Sequence, residues 1–227
     1  ILYDIETDPV LAGTRLIAEA WDAGGLYQVG NFAGDRWVEW NGLFRDDVRS
    51  FLRGDGGRAY AFVQRFIGSP DLYGHKDPEL ESSLNFITCH DGFTLNDLVS
   101  YDTKHNLANG EDDRDGSDLN FSWNSGAEGP TDDPAIEAVR ARQVRNFLVV
   151  NLLAVGVPML LMGDEVRRTQ GGNNNAWVRD DATSWFDWEA LERHADVHRF
   201  ARGLIAWRRR LLDVLEAEDP ELHGVRL

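Results

Sequence analysis

Four short apolar runs constrain this chain more than any other feature: residues 16–18, 37–40, 83–89 and 159–162. The first reads Leu16-Ile17-Ala18 and runs straight into Glu19-Ala20-Trp21-Asp22. The third ends in His90-Asp91-Gly92 and the fourth in Gly163-Asp164-Glu165. Runs that are apolar on successive residues fit buried parallel strands, which lack the alternation of a half-exposed sheet. Between them lie segments with helical spacing. Val48, Phe51 and Leu52 mark one over residues 46–52, and residues 59–67 form another. Behind Pro134, a third carries Ile136, Val139, Phe147, Val150 and Ala154, with Gln143 interrupting and Gly156 closing it. The last carries Val197, Phe200, Leu204, Trp207 and Leu211, with Arg208 to Arg210 placed to complement the dipole at its end. Strands alternating with helices predict an α/β fold with a parallel sheet. No glycine-rich phosphate loop follows any strand, which disfavours a nucleotide fold.

A complete eight-stranded barrel typically takes about 250 residues. Four strands in a chain of 227 residues therefore predict half of such a barrel with long loops. The loop over residues 100–133 exceeds an ordinary connection and reads as functional or ligand-facing. Residues 1–12 read as the end of a helix entering a loop, and the start at Ile1 reads as a piece of a longer protein. No secretory signal pattern opens the chain. The long apolar stretch over residues 147–162 is broken by Asn151, Gly156 and Pro158, so it reads as helix then strand, not as a membrane span.

Charge narrows the partners. Lys and Arg number 23 against 39 Asp and Glu, a formal charge of -16. Nucleic acid and anionic membranes need a basic face, so both are excluded as expected partners. A neutral polar ligand such as a sugar fits. Cys89 is the only cysteine, which rules out an intrachain disulfide and a cysteine metal cluster; it reads as a small buried apolar residue.

Acids at the ends of parallel barrel strands converge on one mouth. Hydrolysis of a glycosidic bond needs two carboxyl groups, one protonating the leaving oxygen and the other acting as nucleophile or activating water. Glu19 fits the proton donor if burial raises its pKa. Asp91 is a second carboxylate, with His90 beside it as a hydrogen-bond donor. Trp21, Tyr27 and Phe32 follow Glu19 as faces on which sugars stack. The plainer reading makes Glu19 and Asp22 caps of the next turn. Asp164 and Glu165 read as structural. Asp113, Asp115, Gly116 and Asp118 faintly echo a calcium loop, but its later glutamate is missing, so a solvated acidic loop is expected. Trp37, Trp40, Trp185 and Trp188 stay open between sugar platforms and packing, whereas Trp207 reads as core.

The segment Leu16-Ile17-Ala18-Glu19-Ala20-Trp21-Asp22-Ala23-Gly24-Gly25-Leu26-Tyr27-Gln28-Val29-Gly30 resembles the fifth-strand motif of isoamylase-type and bacterial glycogen debranching enzymes, in the α-amylase superfamily. Asn85-Phe86-Ile87-Thr88-Cys89-His90-Asp91-Gly92-Phe93-Thr94-Leu95 is similar to their seventh-strand motif. Gly163-Asp164-Glu165, Arg168-Thr169-Gln170 and Gly172-Asn173-Asn174-Asn175 resemble the eighth-strand region. Lys104-His105-Asn106-Leu107-Ala108-Asn109-Gly110-Glu111 is similar to a loop that favours debranching enzymes over plain amylases.

The resemblance implies a partial TIM (β/α)8 barrel, strands five to eight with their helices, spanning residues 1–227 as one catalytic-domain half. It implies retaining cleavage of α-1,6 branch linkages in glycogen or limit dextrin, no cofactor, no metal, and a cytoplasmic setting. By motif match, Glu19 is the general acid/base, and Asp91 grips ring hydroxyls and is not the nucleophile. His90, Trp21, Asp22, Tyr27, Phe93, Arg168 and Asn173 are substrate contacts. The family's nucleophilic aspartate, in an Arg-x-Asp strand context, and its Asn-His motif are not found in those contexts here, so the amino-terminal half of the same protein is an implied partner. Ala176-Trp177-Val178-Arg179 departs from the family, which often has tyrosine and cysteine there. Two further readings stand: a non-catalytic glucan-binding piece, and an α-1,4-acting amylase or transglucosylase.

Overall fold

The computed structural model describes residues 1–34, 36–76 and 82–218, with side chains described to residue 214. Helix α1 (Leu2–Thr7) is followed by strand β1 (Leu16–Ala18), β2 (Trp37–Trp40), α2 (Gly42–Arg53), α3 (Ala59–Phe66), α4 (Pro70–Tyr73) and β3 (Ser83–Asn85). Then come α5 (Leu95–Leu98), α6 (Pro134–Leu153), β4 (Val157–Pro158), α7 (Ala190–Arg193) and α8 (Ala195–Glu218). The strands form one parallel sheet in sequential order, β1-β2-β3-β4. In a doubly wound sheet the strand order reverses. Here each connection steps the same way, and α2, α6 and α8 pack as successive neighbours.

Parallel register puts Ile17 level with Val38, Trp40 with Leu84, and Leu84 with Val157. That face is apolar, and Val38, Leu84, Phe86, Cys89 and Val157 cluster on it beneath Trp21, Trp40 and Met159. Cys89 is buried there as expected, its Sγ 3.3 Å from the Asp91 carbonyl. Ile17, on the edge strand, is left 51% exposed.

The opposite side carries Leu16, Ala18 and Trp37 but turns polar from Glu39 onward, which the apolar runs did not announce. Asn41 Nδ2 donates to Ser69 Oγ and Ser83 Oγ, each at 2.9 Å. Ser83 Oγ donates to Asn85 Oδ1 at 2.7 Å, and Asn85 Nδ2 donates to the Val155 carbonyl at 2.8 Å. Glu39, fully buried in β2, accepts the Gly30 N–H at 2.6 Å and pairs with Lys76. A buried carboxylate survives only with such partners.

Two strands differ from expectation. Only Ser83–Asn85 of residues 83–89 pair in the sheet. Beyond them, the Ile87 carbonyl is taken by the buried Arg49 side chain, at 2.9 Å from Nε and 2.6 Å from Nη2, in place of a ladder bond. The fourth strand lies at Val157–Pro158, not 159–162. Met159 N–H still reaches the Asn85 carbonyl at 2.8 Å, but Leu160 turns into the helix-side core. Gly156 is required before it. At φ +114, a Cβ would meet Asn85 Nδ2 at 2.8 Å and the Ser83 carbonyl at 3.0 Å.

Helix α2 begins earlier than predicted because Asn41 Oδ1 caps Phe44 N–H at 2.8 Å. Helix α8 runs past Arg208–Arg210, so these cations do not close their own helix. Arg208 instead closes α6, donating to the Leu152 and Ala154 carbonyls at 2.9 Å and to Gly156 at 2.6 Å. Its stripe, Val197–Ala201–Arg208, is the buried one, and Trp207 stands beside it 54% exposed, not in the core.

Above the sheet, two buried carboxylates tie the segment leaving β3 to the segment leaving β4. Asp97 of α5 accepts Gln170 N–H at 2.7 Å, Gly172 N–H at 3.3 Å and the Thr169 hydroxyl. Asp164, after β4, accepts Leu95 N–H at 3.0 Å and the Thr88 hydroxyl. Burial raises both pKa values against these hydrogen bonds, that of Asp164 to about 7. Among the described residues, no helix is long and apolar enough to cross a membrane.

The buried pair is testable. Lys76→Met leaves the buried Glu39 carboxyl without its partner and is expected to cost about 3–5 kcal/mol in urea unfolding, the range for breaking a buried pair. Adding Glu39→Gln should recover part of that loss. Unchanged midpoints for the single variant would remove the pair from the stability argument. Asp164 gives a pH prediction. Its folded pKa lies above the ordinary 3.8, so the fold binds its proton more tightly, and its contribution to stability falls as pH rises from about 4 to about 7. Asp164→Asn keeps an acceptor for Leu95 N–H and removes the charge, so melting temperatures at pH 5 and pH 8 should differ less than in the parent. Equal differences in the two proteins would contradict this.

Candidate active site

The mouth is built where β1 and β3 end. Ala18 hands over to Glu19, and the segment that leaves β3 at Asn85 leads to His90 and Asp91. In a parallel sheet these exits lie at the same end. The carboxylate oxygens of Glu19 and Asp91 and a ring nitrogen of His90 all lie within 4.8 Å of one another, and all three side chains are exposed. His90 Nε2 stands 3.8 Å from Asp91 Oδ2. Trp40 meets the His90 ring edge-on at 5.7 Å and Phe86 at 5.4 Å, so this tryptophan packs beneath the mouth. Trp37 packs against Phe32 at 5.5 Å and is buried, which settles it as packing too. Glu19 is exposed, so the burial that the sequence reading asked of it is not present in this chain. The trio is close enough to share a divalent cation, although exposed acidic groups commonly meet without one.

A tight turn forms one wall. Trp21 bridges Tyr27 in antiparallel fashion, and their rings stack at 6.0 Å. Asp22 Oδ1 accepts Gly24 N–H at 2.8 Å and Leu26 N–H at 3.0 Å, so Asp22 shapes the turn. Tyr27 leans on the start of α2, where a Cβ at Gly42 would lie 2.9 Å from its hydroxyl oxygen. Partial burial, then the nearby Asp46 charge, raises the Tyr27 pKa. Trp21, Asp22, Leu26, Tyr27 and Arg45 line a shallow cavity of about 260 Å³.

Three expected substrate contacts sit elsewhere. Phe93 is fully buried 6.2 Å from the Tyr101 ring, so it has no face to offer a sugar. Asn173 is 4% exposed, and its amide is already used. Its Nδ2 donates to Asn109 Oδ1 at 2.7 Å, and its Oδ1 accepts Asn175 N–H at 2.9 Å. Arg168 donates to the Ser184 carbonyl at 3.2 Å and lines a different cavity from the one beside Trp21.

Asn174 and Asn175, beside Asn173, belong to a hydrogen-bonded knot with the loop over residues 100–133, which the sequence reading took as functional or ligand-facing. Asn174 accepts Asn106 Nδ2 at 2.8 Å and donates to Asn120 Oδ1 at 2.9 Å, and its carbonyl receives Gly92 N–H at 3.0 Å, next to Asp91. The acidic stretch is not simply solvated. Asp115 Oδ2 accepts Asn109 Nδ2 at 2.7 Å and Asn175 Nδ2 at 2.9 Å, and these bonds lower its pKa. Asp113 accepts Asn106 N–H at 2.6 Å. Asp97 escaped the sequence reading as well, although Thr94 three residues before it, capping Asp97 N–H at 3.3 Å, is a recognisable helix-start signal.

Comparison with known proteins gives the lineage. No protein-family model matches the chain. The glycogen operon protein GlgX homologue of Mycobacterium bovis is 53% identical over 199 residues, covering 87% of this chain and 28% of that protein. The chloroplastic isoamylase 1 of Arabidopsis thaliana is 51% identical over 207 residues, 90% of this chain and 26% of that protein. The glycogen debranching enzyme of Erwinia tasmaniensis is 47% identical over 209 residues, 91% of this chain and 31% of that protein. The chain thus spans under a third of the length of these relatives. Among solved structures, the pullulanase of Anoxybacillus sp. LM18-11 complexed with maltotetraose superposes at a TM-score of 0.62 with 22% identity, over 89% of this chain and 27% of that one, which shows a shared fold. Over 87–91% of its length the chain is thus related in sequence to isoamylase and glycogen debranching enzyme, of the α-amylase superfamily, and it carries Glu19 and His90-Asp91 at its strand exits.

Proposed function

We propose that this chain supplies strands five to eight of a (β/α)8 catalytic domain that hydrolyses α-1,6 branch linkages of glycogen or limit dextrin with retention. One observation carries the reading: Glu19 and Asp91, from different strands, meet with His90 within 4.8 Å at one end of a parallel sheet. The sequential strand order supports a barrel segment, with β1 and β4 as the edges where the remaining strands attach. The relatives' names support the branched glucan as substrate. On this reading the enzyme works in the cytoplasm, in glycogen breakdown, and needs no cofactor.

Glu19 is the proton donor to the leaving oxygen and then the base that activates water. It reaches that role from an exposed position, and bound substrate supplies the desolvation. Asp91 and His90 hold ring hydroxyls, so their contacts tighten as the ring flattens towards the oxocarbenium-like transition state. Trp21 and Tyr27 offer a stacked wall to the sugar faces. The nucleophilic aspartate belongs to the strand preceding β1, outside these residues, and the amino-terminal half of the same protein is the partner that completes the site.

In the intact enzyme, Glu19→Gln should lower turnover of amylopectin by about 10²–10⁴-fold. The loss should shrink on substrates with good leaving groups, which need little protonation. Asp91→Asn should impair both substrate types alike. The 227-residue chain alone should release no reducing ends from amylopectin. Release by the chain alone that Glu19→Gln abolishes would place a complete site within it and overturn the two-part reading.

A further inference from the structure

A second cavity, of about 380 Å³, opens beside the starts of α6 and α7. Its size falls in the range of small-ligand sites, about 300–1,000 Å³. It shares no lining residue with the cavity at Trp21 and Tyr27. Helices that follow strands in βα units begin at the carboxyl end of the sheet, so this cavity opens on the same side as Glu19 and Asp91. Trp185 stands over it 61% exposed, its indole steadied by an Nε1 bond to Asp180 at 3.0 Å.

The polar lining is fixed and of both signs. Glu137 is held between Arg140 at 3.0 Å and Arg167 at 3.1 Å, and Arg167 Nε is bound to Asn96 at 2.9 Å. Asp187 pairs with Arg193. Two lining guanidinium groups, those of Arg140 and Arg168, each keep a buried Nε–H without an acceptor. Both atoms lie out of reach from the cavity, so the exposed lining groups, not these, would meet a ligand. A phosphate would meet the carboxylates of Glu137 and Asp187. A neutral polyol finds both donors and acceptors, and an exposed indole offers its ring C–H face a stacking surface.

The geometry points to an accessory binding site for neutral sugar, in which Trp185, Glu137, Arg167 and Arg193 hold a glucan chain outside the catalytic mouth. That the sugar is an α-glucan rests on the function proposed above. The site raises the enzyme's hold on polymer without touching the bond that is cut.

The test uses the intact enzyme and two variants, Trp185→Ala to remove the platform and Thr131→Tyr to fill the cavity, with circular dichroism confirming the fold of each. Retardation in glycogen-containing native gels reads polymer binding without turnover. Both variants should bind glycogen about two- to tenfold more weakly, the span of a single aromatic contact. Their turnover of a short branched maltooligosaccharide should match the parent, and maltohexaose should compete with glycogen for the parent. Parental retardation in both variants would overturn the proposal, and so would competition by glucose 1-phosphate but not by maltohexaose. Glu19→Gln, assayed in parallel on the short substrate, tests the catalytic reading separately. Full activity there would sink that reading while leaving the gel result decisive for this site.

Discussion

The structure depends on a reciprocal exchange between two buried carboxylates. Asp97, after β3, holds the backbone that leaves β4, and Asp164, after β4, holds the backbone that leaves β3. Each lies in an interior that penalises its charge, and each is retained by N–H and hydroxyl donors aimed at it. The exchange has a direction as well as an energy. It fixes Gly172, which accepts His105 N–H at 2.8 Å, and from there the asparagine knot that reaches Gly92 beside Asp91. The turn that carries His90 and Asp91 is therefore held from behind by buried groups.

The same logic organises the long polar loop. Glu128 accepts from Asp102 N–H at 2.9 Å, Thr103 N–H at 3.2 Å, Asn124 at 3.2 Å and His105 at 3.1 Å. Partial burial opposes its charge, yet these donors hold its pKa down to about 2. Lys104 bonds the Gly116 carbonyl at 3.2 Å and pairs with Asp118 at 2.8 Å. The loop has almost no regular structure and keeps its shape through side chain to backbone bonds, which is how an irregular segment satisfies its own polar groups.

What could be read from the sequence was the part written in apolar periodicity and in motif. The parallel α/β order, the helix opened by Pro134 and the meeting of Glu19 with His90 and Asp91 follow from those signals. What escaped was written in polar residues with distant partners. Glu39 sits inside a strand because Lys76 comes to it, and Arg49 ends a strand by capturing the Ile87 carbonyl. Neither partner lies within a local window. Trp207 was misplaced because the apolar stripe of α8 suggested one face, while the buried face is completed by a charged residue, Arg208. Phe93 follows a mouth motif yet points into the core, since a motif fixes chain position and not side-chain direction.

Arg208 also sets an order of events. Its guanidinium answers three carbonyls on either side of the α6–β4 junction from a position more than fifty residues later in the chain. A chain emerging from the ribosome has α6 and the residues of β4 in hand well before the side chain that closes them. Until residue 208 emerges, those carbonyls must be met by water. Helix α8 is thus a late-arriving bolt on the α6–β4 junction.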